Sequence, residues 1–281
     1  MADKTKIDWA DATWNPVTGC FHECEYCYAR GIAHRYGLPY APRLGDPGME
    51  GAAKWDSDEG MDTMLELEKP YVKDGRKQPY PMGFNPTFHR YRLDIPKCWQ
   101  RPRNIFVCSM ADLFGAWVPD EWINEVFNVC REAPQHRYMF LTKAPERFHD
   151  LLNKGIEFPE NCWFGTSVVQ SADAEEGIND KIDWLTDTWP VSGVKWFVSV
   201  EPLLENLSDK AIENIAITDW VIIGAETGQR KDRVIPDKAW VDRIVRCCWD
   251  YGTHVFMKNS LREIMGDDFI QQFPWEANSN A

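Results

Sequence analysis

Short, continuous apolar runs recur along the chain at Asn104–Cys108, Arg137–Leu141, Cys162–Thr166, Lys195–Val200, Trp220–Gly224 and His254–Met257. Runs such as Ile105-Phe106-Val107 and Val221-Ile222-Ile223 do not alternate with polar residues, the pattern of strands covered on both faces of a parallel sheet. Thr13–Thr18 and Pro86–Tyr91 read as two further strands nearer the start. Between the runs, apolar residues recur at helical spacing. Pro119–Glu132 carries Trp122, Ile123, Val126, Phe127 and Cys130 on one face, and its Pro stands where a missing amide costs little. Ala29–Tyr36, Pro145–Lys154 with Gly155 as its C-cap, Ala172–Thr186 and Lys238–Asp250 complete the helical set. Strand–helix alternation of this kind predicts right-handed βαβ units and an α/β fold. The expected form is a complete or partial (β/α) TIM-like barrel, with a doubly wound open sheet as the other arrangement.

One stretch breaks the alternation. Residues 37–82 are rich in Pro, Gly and charge, acidic first and then basic at Lys69, Lys73, Arg76 and Lys77. So long a loop inside a compact domain reads as a lid, an insertion or a solvated excursion. A barrel of about 250 residues nearly uses up a chain of 281 residues, so the expectation is a single domain over 1–281 with 37–82 as an insertion or lid after the first βα unit.

Composition narrows the function classes. At 44% hydrophobic the chain can bury a sizeable core. A net charge of −13 repels phosphate backbones at long range, which argues against a general nucleic-acid binder but leaves room for a local basic groove or a nucleotide-sized substrate. No apolar run approaches the roughly 20 residues that span a bilayer, and no apolar stretch follows the N-terminal Met, so no membrane association and a cytoplasmic location are expected. A reducing compartment keeps most of the nine cysteines as thiols. Six of them (Cys98, Cys108, Cys130, Cys162, Cys247 and Cys248) are scattered, and several read as small buried hydrophobes.

The other three are not scattered. Cys20, Cys24 and Cys27 have the spacing C-x3-C-x2-C, and Gly19 just before them eases the tight curl that would bring the thiolates round one centre. Three cysteine ligands on a [4Fe–4S] cluster leave one iron open to an exogenous ligand. Zinc is the rival, but a structural zinc site wants four closed ligands, and the fourth would have to be His22, wedged between two others, or a distant residue.

C-x3-C-x-aromatic-C, with Tyr26 as the aromatic, resembles the signature of the radical S-adenosylmethionine (SAM) superfamily. The resemblance implies a (β/α) barrel with a [4Fe–4S] cluster on Cys20, Cys24 and Cys27. It also implies SAM bound through its amino and carboxylate groups to the open iron, with Tyr26 near the adenine. The segments Thr13–Cys20, Phe106–Phe114, Phe140–Lys143, Ser199–Leu204 and Gly224–Gly228 further resemble phage- and prophage-associated radical-SAM-like proteins of unassigned function. One departure stands out. The Gly-Gly-Glu motif that many superfamily members use for the SAM amino group is not present as such. Gly224-Ala225-Glu226 resembles it but comes late in the chain.

The apolar strands end in polar residues: Ser109 and Asp112, Thr142 and Lys143, Thr166 and Ser167, Ser199 and Glu201, Glu226 and Thr227, Lys258 and Asn259. In a parallel barrel such ends face one mouth. Carboxylates there can accept from the ammonium or ribose hydroxyls of SAM, and Lys143, Arg230 or Lys258 can pair with its carboxylate. Ser109 and Thr166 also read as helix caps, whereas Glu201, followed by Pro202 and two leucines, makes a poor one. The candidate cofactor contacts are therefore Tyr26, Asp112, Lys143, Ser167, Glu201, Glu226, Arg230 and Lys258. The expected activity is reductive cleavage of SAM to methionine and a 5′-deoxyadenosyl radical that abstracts hydrogen from a substrate, with a nucleotide or nucleic acid as the candidate class. An electron donor such as a flavodoxin or ferredoxin is expected. A non-enzymatic iron–sulfur or zinc protein, acting as sensor or scaffold, is the alternative.

Overall fold

The computed structural model describes residues 5–38, 49, 52–56, 63–175, 193–227 and 231–276. Two compact units divide the chain, one of Met1–Lys6 with Ala10–Phe140 and one of Ile7–Trp9 with Leu141–Ala281.

The first unit begins with β1 (Ala12–Trp14), β2 (Val17–Thr18) and α1 (Tyr28–Tyr36). β3 (Ala52–Asp56), β4 (Thr63–Leu67), β5 (Val72–Lys73), β6 (Arg76–Lys77) and β7 (Thr87–His89) follow, then β8 (Asn104–Val107), α2 (Asp120–Glu132) and the start of β9 (Arg137–Thr142). β1, β8 and β9 pair in parallel, with Ala12 opposite Ile105 and Ile105 opposite Tyr138. α2 buries Trp122, Ile123, Val126 and Phe127, the face its spacing predicts.

Three expectations need correction here. Thr13–Thr18 is not one strand. Pro16 has no amide for a ladder, and its carbonyl accepts from His89 N at 2.7 Å, so the chain leaves β1 and enters a different sheet as β2. Pro86–Tyr91 is a strand, but of that second sheet, where β7 pairs antiparallel with β2 and parallel with β4. Nor are the described residues of 37–82 a bare loop: β4 and β3 extend the small sheet to four strands in the order β2-β7-β4-β3. Met64, Leu65 and Leu67 are buried there. The acidic look of the stretch concealed this strand, because Glu66 is itself an interior residue. Its carboxylate accepts from Trp122 Nε1 at 2.5 Å and pairs with Arg90 at 3.0 Å, which is what lets a buried charge persist. Between β5 and β6, Asp74 and Gly75 both take positive φ, as a two-residue hairpin turn requires.

The second unit takes over within β9 and continues with α3 (Glu146–Asn153), β10 (Cys162–Val168), α4 (Ser171–Glu175), β11 (Lys195–Val200) and α5 (Asp209–Ala216). β12 (Trp220–Ile223), α6 (Lys238–Tyr251), β13 (His254–Met257) and α7 (Arg262–Met265) complete it. β10 to β13 pair in parallel and in chain order, with Ser167 opposite Ser199 and Val200 opposite Ile223 opposite Met257. Val198, Val200, Val221, Ile223, Val255 and Met257 share a core with Ile212 and Ile215 of α5 and with Val241, Ile244 and Cys248 of α6. The alternate residues Phe197, Trp220 and Phe256 pack together, with Trp9 against Phe197 and Trp220. The strands are therefore apolar on both sides, as continuous runs demand.

α5 is absent from the helices expected above, although its signals are plain. Ser208 caps it by accepting from Ala211 N at 3.1 Å, and Ala211, Ile212, Ile215 and Ala216 follow at helical spacing. Of the helix expected over Ala172–Thr186, residues beyond 175 lie outside the described residues. Among the described residues no helix is long and apolar enough to cross a membrane.

Candidate functional site

The three clustered cysteines lie on the loop from β2 to α1, all partly exposed. The loop starts at Gly19, whose φ is +91° and whose amide donates to Met110 O at 2.8 Å. A methyl group there would stand 2.2 Å from Asn85 O, so only glycine fits. Cys20 N donates to Phe84 O at 2.9 Å. Glu23 takes φ +51° and turns the chain between Cys20 and Cys24. Cys27 ends the arc as the N-cap of α1, its Sγ accepting from Arg30 N at 3.4 Å.

Cys20 Sγ accepts from His22 N at 3.5 Å, while the Cys24 thiol donates to His22 O at 3.8 Å. Burial pushes the Cys20 thiol up to about 12. The His22 amide opposes that, and Asp112, Cys24 and Cys27 add to it. The donor set fits an iron–sulfur cluster: three thiols on one short arc, two of them receiving the amide hydrogen bonds that tune ligated sulfur. Among the described residues no three His, Cys, Asp or Glu side chains gather as a site for a metal ion.

Asp112 lies beside this arc. Its carboxylate is buried, Oδ2 at 2.8 Å from His22 Nε2 and Oδ1 accepting from Phe114 N at 3.0 Å. The His22 ring meets Trp117 edge-on at 4.9 Å, and Phe21 meets the same indole at 5.3 Å. Sequence reasoning weighed His22 only as a strained metal ligand and missed this partnership, for which a separation of 90 positions left no local signal. It also missed Asn15, whose Oδ1 accepts from Ser109 Oγ at 3.2 Å and Met110 N at 3.0 Å, and Tyr28, whose hydroxyl donates to Ser109 O at 2.7 Å. Ser109 therefore caps no helix. Tyr26 is partly buried within the arc.

In the second unit Ser167 and Ser199 stand opposite each other near the ends of β10 and β11, and Glu201 directly follows β11. Glu201 forms an ion pair with Lys258, and Gly224 lies against both: a Cβ added there would stand 3.0 Å from Lys258 Cδ and 3.2 Å from Glu201 Cδ. Ser199 Oγ is buried, with no hydrogen-bond partner among the described residues. Thr166 Oγ1 donates to Thr142 O at 3.2 Å from inside β10, so it caps no helix either. Glu226 is buried and accepts from Val234 N at 3.2 Å. Lys143 directly follows β9 and is partly buried. Arg230 lies outside the described residues.

The family described as "Protein of unknown function (DUF5131)" matches residues 4–263. The chain belongs to this family. No curated protein matches the chain. Among solved structures, a cysteine-to-alanine variant of spore photoproduct lyase is 13% identical with a TM-score of 0.50, covering 90% of this chain and 79% of that one. Spore photoproduct lyase complexed with dinucleoside spore photoproduct is 12% identical with a TM-score of 0.49, covering 90% and 79%. A variant with bound AdoMet and dinucleoside spore photoproduct is 12% identical with a TM-score of 0.49, covering 89% and 78%. At such identity the first of these shows the fold alone: parallel strands alternating with helices, consistent with a partial barrel.

Proposed function

We propose that this member of the DUF5131 family is a radical SAM enzyme in which Cys20, Cys24 and Cys27 hold a [4Fe–4S] cluster. The observation that carries the reading is the cysteine arc itself, with its C-x3-C-x2-C spacing opened by an obligate glycine and closed by the N-cap of α1. When bound, the cluster would supply the electron for reductive cleavage of SAM. The chain's own residues would serve that centre in definite ways. The His22 amide donates to Cys20 Sγ and opposes the burial that pushes this thiol up, and the Arg30 amide donates to Cys27 Sγ. The Tyr28 hydroxyl fastens the start of α1 to Ser109 O.

By chemistry, Tyr26 suits stacking on a base. Lys143, Ser167, Glu201, Glu226 and Lys258 suit a zwitterionic, hydroxyl-rich ligand such as SAM. Arg230 is kept as a candidate of the same kind. A flavodoxin or ferredoxin would deliver the electron, and a nucleotide or nucleic acid is the proposed substrate class.

Anaerobic reconstitution of the whole chain with iron and sulfide tests the reading. Iron close to four per chain with cluster absorbance, lost in Cys24→Ala, supports it. Stoichiometric zinc that resists replacement by iron points to the sensor or scaffold alternative.

A further inference from the structure

We infer that Asp112 and His22 form a positioning pair that holds the arc from Cys20 to Cys24 in its ligand-ready shape before any iron arrives. The inference rests on the cluster reading above. The two ends of the arc are fixed, Cys20 by its amide on Phe84 O and Cys27 by its Sγ capping α1. Its middle is held differently. The contacts to the Cys20 and Cys24 sulfurs are long, at 3.5 Å and 3.8 Å, and Glu23 occupies a strained left-handed conformation. A segment of that kind drifts unless something outside it holds it.

The anchor is His22. Its Nε2 meets a carboxylate oxygen at 2.8 Å, the distance of a charge-assisted bond, and its ring packs on Trp117. The carboxylate is itself held from several sides. Asp112 is buried, Oδ1 is tied to Phe114 N, and the preceding residue Ala111 bridges to Gly19 at the root of the same arc. Asp112 thus links the foot of the arc to its crown. It acts through its hydrogen bond to His22, as residues that orient metal ligands commonly do.

The test uses the full-length chain with His22→Phe, which keeps the ring against Trp117 but loses the hydrogen bond. His22→Gln, which restores a donor, and Asp112→Ala complete the set. Two readouts are compared with the natural chain: the alkylation rate of Cys24 in metal-free protein, referenced to exposed Cys98, and iron retained against a chelator. His22→Phe and Asp112→Ala are expected to alkylate several-fold faster at Cys24 and to hold iron about 10- to 100-fold more weakly. His22→Gln should recover most of both. Unchanged rates and retention in His22→Phe, or a His22→Gln no better than His22→Phe, would overturn the inference. If Asp112→Ala fails to fold, the two His22 variants still decide. If the natural chain itself takes up no iron, the cluster reading fails, while Cys24 alkylation still judges the positioning pair.

Discussion

Gly19→Ala is the sharpest single perturbation of the cysteine arc. Its new Cβ would stand 2.2 Å from Asn85 O, 2.4 Å from Asn85 C and 2.7 Å from Phe84 O, all backbone atoms. Contacts below 3.0 Å essentially never occur, so one backbone segment must move by about 0.8 Å in a close-packed setting. Overpacking of that kind costs about 1–3 kcal/mol. Holding alanine at φ +91° adds about 1–2 kcal/mol. The expected loss is therefore about 2–5 kcal/mol, a large part of a typical total of about 5–15 kcal/mol. Part of it can be relieved by shifting the loop, and Cys20, the next residue, shifts with it. Urea unfolding followed by tryptophan fluorescence reads the stability, and iron content after reconstitution reads the displacement. A variant with the natural midpoint and full iron content would refute the steric reasoning.

Other expectations follow from the same geometry. Gly31→Ala, with none of the described residues within 4 Å of its new methyl on α1, should stabilise by about 0.5–1 kcal/mol in the same unfolding assay. Ser199→Ala removes a buried hydroxyl that has no partner among the described residues and should raise the melting temperature by the equivalent of about 1 kcal/mol. Burial, with Arg92 adding to it, holds the His89 pKa well below its ordinary value. Below about pH 6.5 the unfolded chain binds a proton that the folded chain refuses, so stability should fall with falling pH by up to about 1.4 kcal/mol per unit. His89→Gln should flatten that slope in thermal melts run at a series of pH values.

Much of the fold was legible because burial on both faces leaves a continuous apolar run. β11 and β13 span the very residues read as strands, and α2 buries the face its periodicity marked. What escaped was set by tertiary partners. Glu66 looked like solvated surface, yet Trp122 and Arg90, far along the chain, turn it into an interior acid and β4 into a sheet strand. The break at Asn15-Pro16 could be read from proline alone, but its meaning depended on His89 and Met110. In the site, the cysteine spacing and Gly19 were local signals and needed no fold. The His22–Asp112 contact spans 90 residues and belongs to no motif, so only the structure brings it out. α5 is a different case, because Ser208 and the apolar spacing after it were there to be read.

The central claim concerns what the arc of Cys20, Cys24 and Cys27 does once loaded. The most direct measurement is 5′-deoxyadenosine released from SAM by the anaerobically reconstituted chain under a strong one-electron reductant. The account predicts its formation by the natural chain and its absence in Cys24→Ala. A chain loaded with a reducible cluster that leaves SAM intact would contradict it.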